Sequence, residues 1–270
     1  MHVVVPCGQC IGCRLERSRQ WAIRCVHEAQ LHNQNCFITL TYSDEYVPVG
    51  RSLVKADFQK FMKRLRKAFP DSSIRYYMCG EYGEQFGRPH FHACLFGFDF
   101  IDKTIWKKTN SGEHIYRSPS LEKIWPYGHS SIGSVTFNSA AYVARYVMKK
   151  RTGEQAQQWY EYVDEDGVIH HRLPEYTNMS LKPGIGHGWL EKYKSDVYPA
   201  DTVVLKGKKM RPPRYYDLQF EMEYPSDFKR IKAARKSKAA LHAENNTDSR
   251  LRVREEVQQA RLKTLRRELK

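Results

Sequence analysis

No stretch of this sequence approaches the roughly eighteen consecutive apolar residues that a membrane-spanning helix needs, so no such span is expected. The opening MHVVVPCGQC is interrupted too early to act as a secretory signal, and the expectation is an intracellular chain. Cysteine is too sparse and too uneven for a disulfide framework. The seven present are an odd number, and three crowd at Cys7, Cys10 and Cys13, which fits reduced thiols or metal ligands better. Acidic residues are in deficit: 30 Asp and Glu face 45 Lys and Arg, leaving a net charge of +15. A polyanion is the expected partner, nucleic acid first, because each neutralised phosphate releases counterions; the alternative is a merely solvated basic surface. No internal repeat, helicase motif or standard nucleotide-binding loop is present.

Periodicity supplies the elements. Apolar residues recur at helical intervals over about Arg14 to Leu31, and CFITLTYSD then reads as a strand. LVKADFQKFMKRLRKAF puts Phe58, Phe61, Met62 and Leu65 on one helical face, stopped near Pro70. SIRYYMCGEYG and HFHACLFGF form a hairpin through Gly87 and Pro89. An irregular insert is expected from Asp99 to Tyr127, then a strand over GHSSIGSVTF and the helix AAYVARYVMKK, capped by Asn138 or Ser139. Two small hairpins follow, around Asp166 and Gly167 and over VVLKGKKMRPPRYY, with a turn into a helix at MSLKPGIGHGWLEKY between them. From about Ser226 the chain becomes a basic helical tail interrupted at AENNTDS, free in solvent or available to DNA or a partner helix.

The predicted fold is α+β, an antiparallel sheet flanked by helices. Its predicted organisation is a Cys-rich element and helix over 1–36, a core over 37–150, an α/β extension over 151–225 and a helical or partly disordered tail over 226–270.

Within RPHFHACLF, side chains alternate across the strand, so His90 and His92 share a face. Antiparallel pairing brings Glu81 beside them. Two imidazoles and a carboxylate suit Mg²⁺ or Mn²⁺ used as a Lewis acid, although hydrogen-bonded structural histidines would show the same spacing. On the later helix, Ala140, Val143, Ala144, Val147 and Met148 gather on one side and Tyr142, Arg145, Tyr146 and Lys149 on the other. Two phenols one turn apart beside two cations can attack phosphate as nucleophiles, or can simply stack on bases.

FITLTY, CGEYGEQFGRPHFHACLFG and YVARYVMKK resemble the three ordered motifs of the HUH endonucleases that initiate rolling-circle replication. The pair Tyr142 and Tyr146 resembles the two-tyrosine subclass. PCGQCIGCRLERSRQWAIRC, PGIG and PPRYYD are similar to the replication initiators of gokushoviruses, single-stranded DNA bacteriophages of the microvirus family.

The resemblance implies His90, His92 and Glu81 as metal ligands, Tyr142 and Tyr146 as nucleophiles and Lys149 as the basic residue that follows them. It implies nicking and rejoining of one DNA strand through a 5′-phosphotyrosine, leaving a 3′-hydroxyl primer. The implied partners are single-stranded and origin duplex DNA of the viral replicative form, with host helicase and polymerase, in the cytoplasm of a bacterial host. Arg75, Tyr76 and Tyr77 are candidates for a DNA groove. The same chemistry in a plasmid initiator or single-strand transposase is one alternative. A noncatalytic, zinc-stabilised nucleic-acid-binding protein is another.

The thiols of CGQCIGC stand at structural-zinc spacing but one ligand short, with Cys25 or His27 as candidate fourth ligands. Unliganded thiols, or an iron–sulfur or redox role, are the other readings. KPGIGHG offers backbone amides to a phosphate or is a plain turn, and the DEDG run reads as a turn.

Overall fold

The computed structural model describes residues 6–83, 87–109, 112–149 and 156–264, with the side chains of 145–149, 263 and 264 outside the described set. The elements run α1 (Ile11–Ala29), β1 (Asn35–Tyr42), α2 (Lys55–Ala68), β2 (Arg75–Tyr82), β3 (Pro89–Phe96), β4 (Thr104–Lys108), β5 (His114–Arg117), α3 (Pro119–Ile124), β6 (Gly128–Gly133) and α4 (Phe137–Lys149). Then come α5 (Ala156–Tyr160), β7 (Glu161–Val163), β8 (Ile169–His171), β9 (Tyr176–Met179), α6 (His187–Val197), β10 (Val203–Leu205), β11 (Lys208–Met210), α7 (Arg214–Glu223), α8 (Pro225–Ala240) and α9 (Asp248–Thr264).

Among the described residues, seven strands pair antiparallel in the order β4-β5-β6-β1-β3-β2-β9. The α+β fold expected from the sequence is thus the observed one. Alternation along the central strands sorts the core into two layers. Ile38, Leu40, Phe91, Ala93 and Leu95 face Phe58, Phe61, Met62 and Leu65 of α2 and Trp125 beyond α3. Burying each such side chain is worth about 1.5–3 kcal/mol, which explains why the mostly charged α2 docks as it does.

On the opposite face, Phe37, Tyr77, Cys79, Cys94 and Phe96 meet Ala22 and Cys25 of α1 and Ala140, Val143 and Ala144 of α4. The small residues let α4 lie close between α1 and the sheet, and Ser18 donates to the Ala141 carbonyl at 3.1 Å. The far side of α1 is buried too, where Ile23 packs with Leu190, Tyr198, Tyr216, Phe228 and Ile231 of the C-terminal elements. Among the described residues, no helix is long and apolar enough to cross a membrane.

Three local expectations are corrected. The insert 99–127 is ordered: β4 and β5 form a hairpin that extends the sheet, and α3 is capped by Ser118, whose hydroxyl accepts from Leu121 N–H at 3.2 Å. The cap of α4 is Thr136, not Asn138 or Ser139. Its hydroxyl accepts from Ser139 N–H at 3.1 Å while Ser139 Oγ accepts from Thr136 N–H at 2.8 Å, a reciprocal capping box. In KPGIGHG, the Gly186 amide is taken by Glu28 Oε2 at 2.7 Å, so the segment is a structural turn.

Gly128, at φ +148°, sits where a Cβ would collide with the backbone of Thr41, Tyr42 and Ser43. That close approach lets β6 pair with the end of β1, beside the histidine-bearing part of β3.

Candidate active site

Register fixes the geometry. Thr41, His90 and Glu81 form one row across β1, β3 and β2, and Thr39, His92 and Cys79 form the next. The period of two turns both imidazoles toward the α4 side, the face that Cys94 and Phe96 share. Glu81 Oε1 lies 3.1 Å from His90 Nε2 and 3.3 Å from His92 Nε2. Tyr142 donates its hydroxyl to the same oxygen at 2.8 Å, with its ring edge-on to His92 at 4.9 Å between centroids. The ligand atoms of Glu81, His90 and His92 all lie within 4.8 Å of one another.

Both rings are braced from behind. The Arg88 carbonyl can only accept, so His90 Nδ1 donates to it at 3.0 Å, and Nε2 of the neutral ring turns its lone pair toward Glu81. His92 Nδ1 pairs with Thr39 Oγ1 at 2.9 Å, which leaves its Nε2 on the same spot. Two lone-pair atoms facing one carboxylate oxygen repel unless positive charge lies among them, as imidazolium protons or as a cation. A pair of imidazole nitrogens and a carboxylate, each ring held at its second nitrogen, is a donor set that fits a divalent ion.

Glu81 is 1% exposed. Burial pushes its pKa up, but the hydrogen bonds of His90 and His92 outweigh that and hold the carboxyl well below the usual carboxylate range, so Glu81 stays ionised.

The cluster opens into a groove of about 300 Å³ whose lining includes Thr39, Ser131, Ser134, Trp106, Lys107 and Tyr142. Residues Trp106 and Lys107 come from the ordered hairpin that the sequence alone suggests is irregular. A tryptophan amid lysines in TIWKK was the available signal for them. Helix α4 continues through positions 146 and 149, one and two turns beyond Tyr142, but the side chains of Tyr146 and Lys149 lie outside the described residues.

Other expected residues lie elsewhere. Tyr76 packs against Phe58 on the α2 face, Tyr77 is fully buried and stacked on Trp21, and Arg75 pairs with Glu28 at 2.5 Å and the Pro183 carbonyl at 2.6 Å. None of the three lines the groove.

The thiols of Cys7, Cys10 and Cys13 do converge, with Cys7 Sγ 3.9 Å from Cys13 Sγ. The amides of Cys10 and Gln9 point at the Cys7 sulfur and pull its pKa down to about 7. Neither expected fourth ligand joins them. Because α1 runs unbroken from Ile11, Cys25 is carried twelve residues beyond Cys13, roughly 18 Å along the axis, into the sheet-facing core. His27 lies farther still, stacked on Trp189 at 3.5 Å and hydrogen-bonded to Tyr216 Oη at 2.9 Å.

The family model for the replication-associated protein ORF2 matches residues 35–151, from the first residue of β1 to just past α4. Replication-associated protein VP4 of Bdellovibrio phage phiMH2K is 36% identical over 247 residues, covering 88% of this chain and 74% of that protein. Replication-associated protein ORF2 of Spiroplasma virus 4 is 35% identical over 242 residues, covering 83% of this chain and 70% of that protein. Replication-associated protein ORF4 of Chlamydia phage 1 is 31% identical over 238 residues, covering 82% and 57%. No solved structure matches the chain. The gokushovirus resemblance read from the motifs and these matches agree: the chain belongs to the family of phage replication-associated proteins.

Proposed function

We propose that this protein starts rolling-circle DNA replication by metal-dependent, site-specific nicking and rejoining of one DNA strand. The observation that carries the reading is the meeting of Glu81, His90, His92 and the Tyr142 hydroxyl at one point of the groove. The names of the relatives support replication as the setting, and the basic charge supports a nucleic-acid substrate.

Glu81, His90 and His92 would hold Mg²⁺ or Mn²⁺, and that ion when bound supplies Lewis-acid charge that a scissile phosphodiester needs before an anion can approach. The chain's own residues do the rest. The Arg88 carbonyl and Thr39 keep both imidazoles in the ligating tautomer. Glu81 orients the Tyr142 hydroxyl and accepts its hydrogen bond. The phenolic oxygen of Tyr142 or Tyr146 attacks phosphorus, a new O–P bond forms, and the P–O3′ bond breaks as the 3′ oxygen takes up a proton. The products are a 5′-phosphotyrosine and a 3′-hydroxyl that can prime synthesis. The phosphoester linkage is retained, so the reverse attack by a 3′-hydroxyl rejoins the strand without a nucleotide cofactor. A second phenol would permit a second cleavage while the first end is still attached, and Lys149 would offset the developing charge.

Single-stranded and origin duplex DNA are the substrates in this reading. Strand opening falls to the host helicase and synthesis to the host polymerase, in the bacterial cytoplasm. Cys7, Cys10 and Cys13 would bind a structural Zn²⁺ at the start of α1.

The test is incubation with supercoiled viral replicative-form DNA, with and without EDTA. Nicking in Mn²⁺ that EDTA abolishes is the expected result. DNA binding without any nicking would favour the noncatalytic, zinc-stabilised binding protein instead.

A further inference from the structure

The edge strand β4 has every residue exposed, including Trp106 at 52%. An exposed tryptophan on a sheet edge costs solubility and invites edge pairing, so its placement calls for a reason. It is not needed to anchor the hairpin: β5 joins the sheet through Tyr116 opposite Ile132, and it is Tyr116 that packs on the core.

Trp106 is also the irregular position of its strand. Ile105 pairs with Tyr116 and Lys107 with Ile115, so the register shifts at Trp106 and leaves it as the extra residue of a bulge. Bulges re-aim side chains, and this one puts Trp106 in the lining of the groove that holds His90, His92 and Tyr142. Two cations attend the ring, Lys107 Nζ at 4.5 Å and Arg117 Cζ at 5.2 Å from its centroid. An indole face flanked by cations, at the rim of a groove in a strongly basic protein, has the composition of a single-strand binding platform: rings stack on bases while cations meet the phosphates.

We infer that Trp106 is a stacking platform for one base of the single-stranded substrate, with Lys107 neutralising a neighbouring phosphate, so that the β4–β5 hairpin positions the strand across the groove. This rests on the function proposed above and assigns it a positioning residue. Tyr142 acts on the phosphate; Trp106 acts on a neighbouring base.

Fluorescence anisotropy with labelled oligothymidylate, read against salt, tests it on the full chain. Trp106→Leu should weaken binding on the order of tenfold and leave the salt slope unchanged. Trp106→Phe should restore most of the affinity. Lys107→Ala should lower the slope of log affinity against log salt by about 0.7, the loss of one single-strand phosphate contact. An oligothymidylate with abasic positions should bind the unaltered protein more weakly, and that penalty should vanish in Trp106→Leu; this comparison holds even if the variant melts earlier. Equal affinities for the unaltered protein and Trp106→Leu, or an abasic penalty of the same size in both, would overturn the inference. Failure of the unaltered protein to bind oligothymidylate or to nick replicative-form DNA would instead overturn the proposed function.

Discussion

Replacing Thr39 with valine separates a metal site from a pair of structural histidines. Thr39 Oγ1 lies 2.9 Å from His92 Nδ1 and serves as its brace. Valine keeps the β-branched shape that β1 favours and removes the hydroxyl. Loss of one such hydrogen bond costs about 0.5–1.5 kcal/mol of stability. For a chain of this size that lowers Tm by at most about 2–6 °C. If His92 ligates a cation, the larger effect falls on affinity, since removing the partner that fixes a ligating imidazole weakens metal binding by about 10–100-fold. Thr41→Val is the matched control: Thr41 sits opposite His90, but that ring is braced by the Arg88 carbonyl, so Mn²⁺ affinity should hardly change. Electron paramagnetic resonance of free Mn²⁺ gives the affinities and melting curves give the stabilities. Equal Mn²⁺ affinity in Thr39→Val and the unaltered protein would refute the assignment of His92 as a braced ligand.

Acid should act through His27, whose pKa burial pushes down to about 3. A histidine with a depressed folded-state pKa stabilises fully above its unfolded value near 6.5, and that contribution is lost as pH falls toward 3, about 3 kcal/mol of it between pH 7 and 4. Urea unfolding of His27→Phe, which keeps a ring against Trp189, should show a correspondingly smaller loss over that interval; an unchanged loss contradicts the burial account. Truncation after Tyr224 should destabilise the protein, because Phe228 and Ile231 of α8 are buried at about 1.5–3 kcal/mol each, whereas truncation after Leu241 should leave Tm nearly unchanged. Metal analysis of protein purified without chelators should find zinc that Cys10→Ala loses; absence of zinc from the unaltered protein counts against the thiol site.

Much of the fold could be read from the sequence because its signals are local. The alternation of HFHACLF, the amphipathic face of α2 and the small residues of α4 each mark what they pack against. The pairing of Glu81 with the histidines was legible too, since a hairpin of known register puts the upstream strand end opposite His90. What escaped is nonlocal. Nothing in TIWKK says that a bulge turns Trp106 into the groove, because that direction is set by the pairing of β4 with β5 and of β5 with β6. Arg75, Tyr76 and Tyr77 read as a basic aromatic cluster, yet strand alternation sends Tyr76 and Tyr77 to opposite cores, and the charge of Arg75 is met by Glu28 from α1. His27 and Cys25 are free to join the N-terminal thiols only if α1 folds back. A helix buried on both sides has no such freedom.

The central claim is that a phenol of α4 attacks a phosphodiester beside the Glu81, His90 and His92 cluster. Its most direct measurement is to react the protein with replicative-form DNA in Mn²⁺, digest both components, and identify by mass spectrometry the peptide carrying a nucleotide. The expected modified residue is Tyr142 or Tyr146, with no adduct when both are phenylalanine. A nucleotide on any other residue, or an adduct that persists in the double variant, would contradict the account.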